Sequence, residues 1–93
     1  MIRTFRDNHT QAIFLRKRSR RFSPALQRAA LKKLLILHAA ERIEDLLVPP
    51  GDRLEKLSGE RAGQHSIRIN DQWRVGFVWK GSDAYDVEIV DYH

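Results

Sequence analysis

An acid, a phenol and an imidazole close the sequence as Asp91-Tyr92-His93, directly after the alternating apolar stretch from Ala84 to Val90. A carboxylate beside an imidazole can hold or move a proton near neutral pH. Arg68 and Arg74 stand in the two preceding alternating stretches. A guanidinium offers phosphate oxygens a fixed fork of donors and keeps its charge at any relevant pH. Gly76 suits close approach of a ligand to the backbone, and Tyr92 can stack on a base. This set fits metal-free cleavage of RNA, in which a 2′-hydroxyl attacks the adjacent phosphorus and the 5′-oxygen leaves with a proton. Each acid–base group in such a reaction supplies about 10²–10⁴-fold. His93 would donate or accept the proton, and Asp91 would orient it or act as base. Arg74 would stabilise the developing charge and Tyr92 would position the base. DNA, lacking the 2′-hydroxyl, would not be cut.

Such residues need cationic surroundings and elements to hold them. The 93 residues carry a net charge of +5, which points to a polyanionic partner. The charge is concentrated: residues 1–40 hold ten Lys or Arg against Asp7 as the sole acid, and the remainder holds seven against eleven. Within the segment 6–22, Arg16, Lys17, Arg18, Arg20 and Arg21 form a basic run that reads either as a solvated loop or as a phosphate-binding arm, mobile until bound. Lys56, Arg61 and His65 extend the candidate RNA track. There is no Cys, and His9, His38, His65 and His93 lack metal-ligand spacing, so no metal or other cofactor is expected. No membrane span or secretory signal is legible, which leads to the expectation of a soluble, cytoplasmic protein.

The length suits one domain, 1–93, working through a groove or open face. Met1 to Phe5 reads as a short strand, and Asp7 or Asn8 can cap a short helix over Thr10 to Leu15. Ser23-Pro24 starts a longer helix reaching about Ala40, with Leu26, Ala30, Leu34 and Leu37 inward and Lys33 outside the apolar stripe. Glu41 to Leu47 reads as a further helical turn, ended by Pro49-Pro50-Gly51. Arg53 to Leu57 is a short strand. Gln64 to Asn70, Trp73 to Lys80 and Ala84 to Asp91 read as an antiparallel meander. One parity buries Ile67, Ile69, Val75, Phe77, Trp79, Tyr85, Val87 and Ile89, leaving Arg68 and Arg74 on the open face. The fold class is therefore α+β: a first strand, two to three helices, then an antiparallel sheet. The same parity sends Tyr92 toward Arg74 but Asp91 and His93 away from it, unless the last residues leave the ideal strand. Blander roles fit other residues: His38, Trp73 and Trp79 as packing, Glu55 as an edge carboxylate, and Arg68 as a partner of Glu88 or Asp86.

The stretches Pro50-Gly51-Asp52-Arg53-Leu54, Leu57-Ser58-Gly59, Gln64-His65-Ser66-Ile67-Arg68-Ile69-Asn70, Gln72-Trp73-Arg74-Val75 and Val87-Glu88-Ile89-Val90-Asp91-Tyr92-His93 resemble the HigB branch of the RelE/ParE toxin superfamily. The resemblance covers the C-terminal half specifically, and residues 1–49 match only in order of elements. It implies a RelE-like fold and a toxin that cuts mRNA on the ribosome. It also implies neutralisation by a HigA-like helix-turn-helix antitoxin, through which operator DNA is bound. Arg74, Asp91, Tyr92 and His93 match positions the family uses for cleavage. Glu55 and Ser58 depart from it, standing where some HigB toxins carry His and Lys, which predicts a mild toxin. Two other functions fit the same fold class: a ParE-like poison of DNA gyrase, and a non-catalytic RNA- or ribosome-binding module.

Overall fold

The computed structural model describes residues 1–47, 50–56 and 63–91. Helix α1 spans Asn8–Phe14, and Asp7 caps it by accepting from the Thr10 amide at 2.7 Å. Its far end closes in a Schellman pattern: the Arg16 amide donates to Ile13 and the Lys17 amide to Ala12, with Arg16 at φ 59°. That position normally takes glycine, so an arginine there carries local strain. Helix α2, Pro24–Ala39, begins as its Ser-Pro pair predicts, with the Ser23 hydroxyl accepting from Leu26. It buries Leu26, Ala30, Leu34 and Leu37. Two 3-10 turns come next, Ile43–Leu47 and Pro50–Asp52.

Strands β1 (Glu55–Lys56), β2 (Gln64–Arg68), β3 (Trp73–Lys80) and β4 (Asp83–Asp91) form one antiparallel sheet in that order. The helices cover one face. Ile67, Val75, Phe77, Val87 and Ile89 point into that core, and Ile69 closes its end. Leu54 and Trp79 pack against the core partly buried, while Leu57 lies outside the described residues. Among the described residues no helix is long and apolar enough to cross a membrane.

Two expectations need correction. The first strand is reduced to two isolated parallel bridges, Ile2 to Ala84 and Phe5 to Val87, along the outer edge of β4. The cause lies in β4, where Gly76 pairs with Glu88 but Val78 pairs with Tyr85, so two residues of β4 oppose Phe77. Asp86 adopts φ 52° in this bulge, and its amide donates to the Thr4 hydroxyl. The extra residue shifts the alternation. Ala84, fully buried, takes the core side, and Tyr85 moves to the open side, where the Lys80 ammonium lies 5.8 Å from its ring centroid.

Candidate active site

Arg74 leaves β3 on the open face near one end of the sheet, between Arg68 and Val90, and it is far less exposed than an arginine there should be. Its residue exposure is 7%. The side chain lies across β2 toward the start of β1: Nε donates to the Ser66 hydroxyl at 2.8 Å, and one terminal nitrogen donates to the Ser66 and Arg53 carbonyls. The other terminal nitrogen stands 3.9 Å from the Glu55 carboxylate. Glu55 reaches it because its register partner is Ser66, which places both on the open face. The guanidinium plane is thus fixed by the fold before any ligand arrives, which spares the entropy of ordering it.

Arg68, the register partner of Arg74, shares this face. Its ion partner is Asp71 in the adjoining turn, not Glu88 or Asp86. Glu88 instead pairs with Arg6 at 3.2 Å. The space above Gly76 is bordered by Glu88 and Val90, whose side-chain carbons stand 3.7 and 3.8 Å from where a β-carbon would lie. Ordinary packing therefore accounts for that glycine's surroundings without a ligand.

Asp91 pairs in register with Trp73, and its carboxylate accepts from the Gln72 side-chain Nε2 at 3.0 Å, so it stands on the opposite side of β4 from Val90, the neighbour of Arg74. Tyr92, His93, Arg61 and Ser58 lie outside the described residues. Lys56 and His65 are register partners on the helix-covered side. The His65 ring stacks on Phe77 at 5.8 Å, and its Nδ1 is buried without a hydrogen-bond partner among the described residues. Burial pushes the His65 pKa down, a Gly63 backbone hydrogen bond opposes that, and the nearby Lys56 charge adds to the lowering. Neither residue is beside Arg74.

The basic run lies on the α1–α2 side of the molecule. Arg16, Lys17, Arg18 and Arg20 line an open groove of about 690 Å³ with Arg28, over an apolar floor of Ile13, Phe22 and Leu31. Arg21 lies over the Phe22 ring. The run is not uniformly solvated, because Ser19 within it is buried. Gln27 holds it from α2, accepting from the Ser19 amide at 3.2 Å and donating to its carbonyl at 2.8 Å. His38 is structural as expected, accepting from the Ile2 amide at 3.1 Å. Trp73 packs edge-on against Phe22 at 5.5 Å and Trp79 against Phe77 at 6.3 Å.

One feature near the site has no signature in the sequence. Lys33, assigned to the solvent side of α2, forms an ion pair with Asp52 and has a side chain only 15% exposed, while Asp52 is fully buried. Their separation of 19 residues carries no helical or strand period that could have signalled the contact.

The chain matches the family described as "RelE-like toxin of type II toxin-antitoxin system HigB" over residues 3–93. It is 44% identical over 63 residues to "Toxin HigB-1" of Vibrio cholerae, covering 68% of this chain and 66% of that protein. It is 39% identical over 41 residues to "Endoribonuclease HigB" of Proteus vulgaris, covering 44% of this chain and 45% of the relative. An uncharacterized protein of Haemophilus influenzae is 32% identical over 59 residues, covering 63% and 58%. The matched stretch spans less than two thirds of each relative's own length.

Proposed function

The chain belongs to the HigB-like toxins of type II toxin–antitoxin systems, and on that premise we propose that it is a metal-independent endoribonuclease that cuts translated mRNA on the ribosome. The observation that carries the reading is the immobilised Arg74 guanidinium on the open sheet face. It supplies what the reaction needs most from the protein, a positive charge pre-set where the phosphorane charge develops. A relative carrying the name Endoribonuclease HigB supports the same class of chemistry.

In this mechanism the scissile phosphate meets Arg74 and the 2′-hydroxyl, giving up its proton, attacks phosphorus as the bond to the 5′-oxygen breaks, leaving a 2′,3′-cyclic phosphate and a protonated 5′-hydroxyl. Proton transfer falls to His93, oriented by Asp91, while Tyr92 stacks on the base. Asp91 stands on the Trp73 side of β4, so this assignment requires the last residues to leave strand alternation and turn the imidazole toward Arg74. Arg68 guides the flanking backbone. Lys56 and His65 would contact RNA at the β1 edge, away from the scissile bond, and Arg61 would add a further cation for RNA. The cations of the α1–α2 groove would hold RNA of the ribosome. The partner that silences the toxin is a HigA-like helix-turn-helix antitoxin that also binds operator DNA, and the site of action is the cytoplasm.

Inducing the wild-type and His93-deleted chains and mapping mRNA 5′ ends tests the proposal. Discrete cuts in translated messages are expected with the first and none with the second, at equal folded content. DNA breaks with intact mRNA would replace this reading with gyrase poisoning, and neither lesion would leave a binding module.

A further inference from the structure

The fully buried Asp52 raises a question that packing does not answer: one of its oxygens receives the Lys33 ammonium, and the other has no hydrogen-bond partner among the described residues. A buried ion pair with an unsatisfied oxygen is a poor source of stability, so its place in the fold calls for another account. The neighbouring Arg53 supplies one. It adopts φ 43°, a left-handed conformation that a non-glycine residue holds only under constraint, and its carbonyl accepts from Arg74. The 3-10 turn Pro50–Asp52 is therefore anchored to α2, and Arg53, the residue that follows it, presents its carbonyl to Arg74.

We propose that Lys33 is a positioning residue for Arg74, acting through Asp52 and the Arg53 carbonyl. The chain of contacts runs from α2 through the turn to the guanidinium: a charged hydrogen bond at Lys33–Asp52, the peptide bond to Arg53, and a charge-assisted hydrogen bond from Arg74 to the Arg53 carbonyl, both hydrogen bonds part-buried. Helix α2 is thereby coupled to the opposite face of the sheet. The inference rests on the endonuclease reading for its catalytic consequence, but not for its structural one.

The test is Lys33→Met, with Lys33→Arg as the charge-preserving control and Asp52→Asn as the milder variant that decides if Lys33→Met fails to fold. Hydrogen exchange at the Arg74 terminal guanidinium nitrogen that donates to the Arg53 carbonyl, read by NMR on the free chain, should accelerate severalfold in Lys33→Met and Asp52→Asn and stay near wild type in Lys33→Arg. Single-turnover cleavage of ribosome-bound mRNA should fall in its maximal rate, by up to about 10²-fold for a displacement near 1 Å. The half-saturating concentration should hold. Unchanged Arg74 exchange in a folded Lys33→Met or Asp52→Asn variant would overturn the positioning role, as would a loss confined to half-saturation. Exchange is measured without RNA, so it decides this inference even if the wild-type chain cuts nothing, an outcome that would overturn the endonuclease reading instead.

Discussion

Replacing Glu55 tests whether its carboxylate restrains Arg74. The two groups stand 3.9 Å apart, with side chains 54% and 8% exposed respectively. Opposite unit charges at that distance attract by about 1 kcal/mol in bulk-water screening and about 4 kcal/mol at an effective dielectric of 20. Glu55 is more than half exposed, so the lower figure governs. A phosphate arriving at Arg74 meets the same carboxylate as a like charge. Its removal should therefore gain about 1 kcal/mol of transition-state stabilisation, or roughly fivefold in kcat/KM. In single-turnover cleavage of end-labelled, ribosome-bound mRNA, Glu55→Gln is expected to show that gain, shrinking as salt rises. Glu55→His with Ser58→Lys should exceed it, because a proton-transfer group and a cation are added. No gain from either change would refute the reasoning. A loss near 10²-fold in Glu55→Gln would refute it differently, by making Glu55 the general base.

Four further outcomes are expected. Arg16→Gly should raise the urea midpoint, since glycine relieves a left-handed position worth about 1 kcal/mol, while joint neutralisation of Arg16, Lys17, Arg18, Arg20 and Arg21 should flatten the salt dependence of ribosome binding. An unchanged salt slope would return the run to a structural loop. Thr10→Val should cost about 1–3 kcal/mol in chemical denaturation, because the Thr10 hydroxyl accepts from the buried Ile89 amide, which would be left unpaired. His65 has a folded-state pKa below its ordinary 6.5, so the unfolded chain binds more protons and stability should fall as pH drops through about 6.5. His65→Gln should remove that part of the slope between pH 7.5 and pH 5.5, as read from urea midpoints.

Much of the scaffold was legible because local signals agreed with the global pattern. Ser23-Pro24 started α2 at the expected residue, and strand alternation aligned the core positions of β2 and β3 and those of β4 beyond its bulge. The bulge at Asp86 was not legible, since aspartate tolerates a left-handed conformation without announcing one as glycine does. This is why Tyr85 was placed on the wrong face. The burial of Arg74 was hidden for another reason. Alternation gives the face a side chain leaves from, but not that a neighbouring strand and turn will meet it with two carbonyls and a hydroxyl. Ser19 escaped similarly, because its burial depends on Gln27 reaching back from α2.

The bulge in β4 also bears on how relatives of this chain should be compared. On either side of Asp86 the strand runs in opposite phase: Tyr85 faces outward before it, while Glu88 and Val90 do so after it. A relative lacking one residue here would keep the segment beside Arg74 in phase only if the gap is set at the bulge. Set a few residues later, the same gap would exchange inward and outward positions and match open-face residues of one protein to core residues of the other.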